Sequence, residues 1–301
     1  MTHLPVNEST FIEWITHIAS TTPLFAATIS TYRSAISTLH AESDWGHLPN
    51  PVNTARVSRI IDGIKREKAP REASLRSKRE PTVDVTGELL AELEIHQPLA
   101  TPLTTMCWAA ACLGTFAILR ISEFIPSPKR ADRAILPSHI LFYWDSERIR
   151  PATSPSIAPN HYPDHFTLRL GVTKTDQLGK GRSIVVAAKP AVKAMWKWFC
   201  LRSSLGATSP ALFSLPNGEY LTEAMVISHI QDGLEKLGRG RPKITGKGFR
   251  RGGASTLIGN NVPRVEAAAA GGWKSLAMLD TYANAASKQK RALMVSRNMA
   301  P

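Results

Sequence analysis

The 301 residues are enough for one or two domains with a sizeable core, and 43% hydrophobic with 20% charged residues excludes a disordered chain. The formal net charge of +13 is less ordinary and points to a polyanionic partner, nucleic acid before an anionic membrane surface. The start, MTHLPVNEST, lacks a basic segment followed by an apolar run, so a secretory signal is not expected.

Helical spacing opens the chain. In TISTYRSAISTLH, Ile29, Tyr32, Ile36 and Leu39 share one face, with Arg33 and Ser37 elsewhere. Helices near residues 8–20 and 53–67 complete a small bundle over 1–68. KREKAPREASLRSKRE, residues 65–80, then carries seven Lys/Arg against three Glu with Pro70 inside. It reads as leading into a basic linker over 69–82, a tether that crosses a phosphate backbone. Lys65, Arg66, Lys68 and Arg71 are its candidate DNA contacts.

A second domain over 83–301 begins with helices near 86–95 and 101–119. No charged residue occurs from Gln97 to Leu119, a length that invites a membrane reading. Pro98, Pro102 and four threonines make a buried central helix the better one. HFTLRLGV alternates Phe166, Leu168, Leu170 and Val172, and RSIVVAA answers it across the turn TKTDQLGKG as a hairpin. Further helices are expected near 189–204, 222–237, 248–259, 264–270 and 275–286. The fold class is mainly α: a helical amino-terminal domain and an α-rich second domain with a small antiparallel sheet.

Cys107, Cys112 and Cys200 are odd in number, lie in apolar helical stretches and lack zinc-site spacing, so they read as reduced core residues of an intracellular protein. His161 and His165 read as a surface loop, and no metal is expected. Gly246-Lys247 is no P-loop, because the glycine spacing is wrong and no Ser/Thr follows. GRGRPK, residues 238–243, resembles the core of a minor-groove hook but reads more simply as a short basic loop. Its Arg239 and Arg241 are candidate DNA contacts.

KGFRRGGAST, residues 247–256, crowds Lys247, Arg250 and Arg251 at a helix start and follows them with glycines. Cations beside a backbone able to approach closely suggest a phosphate. Other elements join them: Arg120 in LRISEF with Glu123 a turn later, Lys174 in the hairpin turn, Trp273 in GGWKS and Tyr282 in LDTYANA. In this order and spacing the set resembles the catalytic constellation of the tyrosine recombinase (phage integrase) family. The amino-terminal bundle and basic tether resemble that family's core-binding domain, so the resemblance spans the chain.

The resemblance implies DNA strand cleavage and rejoining through a 3′-phosphotyrosyl intermediate on Tyr282. Arg120 and Arg250 would stabilise charge on the phosphate and Lys174 would act as general acid. Trp273 would donate to or pack the site, and Glu123 would orient its neighbours. A protein nucleophile needs no cofactor. Duplex DNA is the implied partner, with four protomers assembling on it. The bundle resembles integrase-like proteins of fungal mobile elements, which implies a nuclear site of action in a eukaryote. Where the family usually has histidine three residues before its second arginine, this chain has Lys247, a residue also known at this place among related type IB topoisomerases. Topoisomerase-like relaxation and a domesticated DNA-binding role are the alternatives.

Overall fold

The computed structural model describes residues 7–280, apart from 45, 79, 97–98, 126–133, 152–161, 172–180, 207–208, 274 and 278. The chain divides into two compact units, Met1–Glu80 and Pro81–Pro301.

Among its described residues the first unit is three helices. α1 (Glu8–Thr21) is capped by Asn7, α2 (Ala26–Glu42) follows a short turn, and α3 (Ala55–Ser77) is capped by Thr54. Phe11 and Ile15, Ala26 and Ile29, and Val57, Ile61 and Ile64 close one core. Of the expected α2 face, Ile29 is buried and Ile36 packs on the core, while Tyr32 meets Trp14 and Leu39 stays half exposed.

The basic linker is corrected by this unit. Residues 65–77 are the second half of α3, Pro70 included. Ala, Arg, Lys, Glu and Leu are strong helix formers, and two side chains there fasten the helix to the α1–α2 turn. Lys68 donates to Thr22 O at 3.4 Å, and Glu72 accepts from Ala26 N at 2.7 Å. Polarity alone suggests a tether; these two bonds make it a packed helix.

The second unit is built around α5 (Pro102–Phe116), preceded by β1 (Thr82–Val83) and α4 (Gly87–His96). Thr101 and Thr104 form a capping box at its start, and every residue from Thr105 to Thr115 is buried. Among the described residues no helix is long and apolar enough to cross a membrane. α5 packs on α7 (Lys189–Ser204), α8 (Glu223–Lys236) and α9 (Gly246–Gly259). A parallel pair, β1 with β6 (Lys243–Ile244), ties the start of the unit to the start of α9. α10 (Arg264–Gly271) follows.

Among the described residues the antiparallel sheet has four strands, in the order β3 (Glu147–Ile149), β2 (Ile140–Trp144), β4 (His165–Leu170), β5 (Arg182–Val186). The expected β4–β5 hairpin is present, with Phe166, Leu168 and Leu170 inward. The β2–β3 hairpin has no clear signal in the sequence. Its turn, Asp145-Ser146, has positive φ at both residues without the Gly or Asn that usually marks such turns. Asp164 accepts the Asp145 N–H at 2.8 Å and supports it. Cys107 and Cys112 are buried as expected, but Cys200 is exposed on α7, turned away from its buried neighbours Trp198 and Phe199.

Candidate active site

α5 ends earlier than its periodicity suggests. It stops at Phe116, and Ile118 takes φ +53°, a costly conformation for a β-branched residue. The chain reverses there, with Leu119 N bonded to Gly114 O, and Arg120 becomes the N-cap of the short helix α6 (Ile121–Phe124). Arg120 therefore sits on a new helix start, not at the end of the uncharged one. Glu123 accepts from Arg120 N at 2.8 Å and from Arg120 Nη1 at 2.7 Å.

The reversal also aims the Ile118 carbonyl at a second arginine. Arg250, 4% exposed, donates from Nη1 to Ile118 O at 2.7 Å and from Nη2 to Gly271 O. Its Nη1 lies 4.0 Å from Glu123, and its guanidinium stands 4.5 Å from the centre of the Trp273 ring. Arg120, Glu123, Arg250 and Trp273, drawn from separate parts of the sequence, thus form one cluster.

The α9 glycines have a use different from the one expected. A Cβ on Gly252 would lie 1.9 Å from Val85 O, and one on Gly253 would lie 2.0 Å from Thr115 O. They admit the protein's own backbone, seating α9 against α5 so that Arg250 reaches the site. At the start of α9, Gly246 packs on Ile121, the residue after Arg120, and donates to Glu223 at 2.9 Å. Lys247, next in line, is exposed in the first turn of α9.

Other expected DNA contacts have internal partners. Arg251 pairs with Asp84 at 2.6 Å and reaches Thr82 at 2.9 Å, so it clasps β1 to α9. Burial pushes the Asp84 carboxyl above its ordinary pKa, and Arg251 opposes that rise. Arg239 pairs with Glu92, and Arg241 with Asp232 and Glu235, all at the surface. In the other unit Lys68 is buried and bonds to Thr22, whereas Arg66 and Arg71 are exposed and Lys65 pairs with Asp62. Lys68 and Arg251 thus each have a packing partner within their own unit.

Lys174 and Tyr282 lie outside the described residues. Their flanks are described. Leu170 and Arg182 close the base of the hairpin that carries Lys174. Leu279, three residues before Tyr282, is fully buried with Trp273, Ile118 and Ala254. Arg264 at the start of α10 pairs with Asp280.

Arg182 is a member of this neighbourhood that the sequence does not announce. It donates to Ala270 O at 3.1 Å, and burial lowers its pKa, with Glu123 raising it and Arg120 lowering it further. Its one signal in the sequence is a cation at the exit of a hairpin turn.

No family model and no curated protein matches the chain by sequence. Solved structures match it in fold. The XerH site-specific recombinase bound to its difH substrate before cleavage superposes with a TM-score of 0.51 at 15% identity, over 92% of this chain and 67% of that one. The XerH post-cleavage complex with palindromic difH gives 0.54 at 14% identity, over 96% and 72%. The Tn1549 transposon integrase with circular intermediate DNA gives 0.50 at 14%, over 92% and 81%. At such identities the likeness is one of architecture, and the architecture of this chain is the tyrosine recombinase fold.

Proposed function

We propose that the protein binds duplex DNA and breaks and rejoins its strands as a site-specific tyrosine recombinase. One observation carries the reading: Arg120 and Arg250 converge on a single buried carboxylate, Glu123, beside Trp273. Guanidinium groups held together around one carboxylate present excess positive charge at a fixed place, which suits a phosphodiester gaining negative charge in a transition state.

In this reading Arg120 and Arg250 grip the non-bridging oxygens of the scissile phosphate. Tyr282 attacks phosphorus, its phenolic proton passing to solvent as the tyrosyl O–P bond forms and the bond to the 5′ oxygen breaks, and Lys174 supplies the proton that the leaving oxygen takes up. Attack by the freed 5′ hydroxyl reverses these steps and rejoins the strand. Lys247, exposed in the first turn of α9, acts as a fixed cation toward the phosphate where the family uses histidine. Exposed cations of α3 grip the DNA backbone, and several protomers assemble on it.

A duplex nicked near the cleavage point tests this, because the short product diffuses away and traps the covalent intermediate. The wild-type chain is expected to form an SDS-resistant protein–DNA complex. Tyr282→Phe is expected to abolish it while changing DNA affinity by less than about twofold, since only one hydroxyl is removed. A covalent complex that persists in Tyr282→Phe would move the nucleophile elsewhere. DNA binding without any covalent complex from wild type would favour the domesticated, non-catalytic alternative.

A further inference from the structure

The carboxyl end of α10 ends in an unusual way. Helices leave their last four carbonyls without intrahelical partners, and those carbonyls carry the negative end of the helix dipole. Here each has a partner. Ala268 O accepts from Trp273 N and Ala269 O from Gly272 N, both at 2.9 Å, completing a cap in which Gly272 takes φ +64°. The remaining two are taken by side chains from different elements: Ala270 O accepts from Arg182 at 3.1 Å, and Gly271 O accepts from Arg250. Arg250 comes from α9, whereas Arg182 is the first residue of β5, paired in register with Leu170 at the end of β4.

We propose that Arg182 is a positioning residue that locks the carboxyl end of α10 to the base of the β4–β5 hairpin. The lock sets the placement of Trp273 and of the chain leading to Tyr282 relative to the hairpin that carries Lys174. The proposal rests on the assignment of Tyr282 and Lys174 to cleavage, and it adds a residue to which that chemistry gives no direct role.

The geometry supports a lock over an incidental contact. Gly272 lies so close to Arg182 that a Cβ there would stand 2.7 Å from Nη1, so the guanidinium is seated against the cap itself. Trp273 follows immediately and covers Arg250, and Gly271 in turn packs on the Trp273 ring. Arg182 also feels the charges of Glu123 and Arg120, and its guanidinium joins the sheet to α10. The planar fork suits the task because it holds a carbonyl at a fixed angle without losing its charge. Nucleophile and general acid sit on separate segments, and small misplacements of reacting groups are costly.

The test uses the full chain with Arg182→Ala and Arg182→Lys. Backbone hydrogen exchange is followed in peptides covering 268–280, single-turnover covalent capture is timed on the nicked duplex, and DNA affinity is measured separately. For Arg182→Ala the expected result is faster exchange confined to 268–280 and capture slowed about 10- to 100-fold, with affinity changed less than about twofold. Arg182→Lys is expected to recover part of both effects, because an ammonium reaches a single carbonyl. Unchanged exchange in 268–280 would overturn the proposal. So would weakened DNA affinity with normal exchange, which would make Arg182 a DNA contact instead, or exchange that rises uniformly, which would make its role general stability. Failure of the wild-type chain to form a covalent complex would sink the recombinase reading alone, since exchange still decides whether the lock exists.

Discussion

At the scale of single residues, the glycines of α9 decide whether the site can assemble. Gly252 and Gly253 face backbone carbonyls at distances no Cβ tolerates, and backbone gives way less readily than a side-chain tip. Gly253→Ala is expected to destabilise the second unit by about 1–3 kcal/mol or more through overpacking. Gly63→Ala on α3 is the control: nothing lies within 4 Å of the added Cβ, and helix propensity should stabilise the first unit by roughly 0.5–1 kcal/mol. Denaturant unfolding of both variants checks this, and equal effects would mean that close approach is not why α9 carries glycine. The same residues show how much of the site is legible in the sequence. Arg120, Glu123, Arg250 and Trp273 are legible because their side chains carry recognisable chemistry in a recognisable order. Arg182 is not, since its partner is the Ala270 carbonyl, and no pattern of side chains records a backbone contact. The glycines stand out in the sequence but point to the wrong neighbour, because sequence shows that room is needed and not what fills it.

At the scale of elements, helices that bury an apolar stripe are legible to within a few residues, α1, α7, α8 and α10 among them. The misjudged segments are those in which local composition and tertiary role diverge. The apolar composition of α5 continues to Leu119, yet the turn at Ile118 ends the helix early. β2 and β3 join through a turn lacking glycine. α3 is polar over its second half but is held by Lys68 and Glu72. This matters for the DNA reading, because a helix displays cations at fixed angles where a tether would not. Lys65, Arg66 and Arg71 are exposed on it, and Lys68 is buried. Changing the three exposed residues to Gln should flatten the slope of log affinity against log salt by up to about 0.9 for each phosphate no longer neutralised. Lys68→Gln should instead lower the stability of the first unit and leave the slope alone. Titration of a fluorescent duplex at several salt concentrations separates the two, and a slope unmoved by the triple change would take α3 off the DNA.

At the scale of the whole molecule, the two units have separate cores, and charge is shared unevenly between them. Residues 1–80 hold ten Lys/Arg and eight Asp/Glu, leaving 27 against 16 for 81–301. If the two units unfold independently, a perturbation buried in one leaves the other's unfolding unchanged, and His229 offers a way to test that. It lies on α8 with its ring 6.3 Å from that of Trp108 on α5, and burial lowers its pKa to about 4 from an ordinary 6.5. Nearby Asp232 opposes that shift and Lys236 adds to it. Because the folded value lies below the unfolded one, the unfolded state takes up the proton first as pH falls. The second unit should therefore keep its full stability above about pH 6.5 and lose it progressively toward pH 4, by about 2 kcal/mol at pH 5. His229→Phe keeps an aromatic ring beside Trp108 and removes the titration. Denaturant unfolding at pH 7.5 and pH 5 should give wild type a larger loss than the variant, by about that amount. The transition assigned to the first unit should respond to pH alike in both proteins. A variant with the same pH dependence as wild type would mean that His229 is protonated as readily in the folded unit as out of it. A shift in the first unit's transition would mean that the two cores unfold as one.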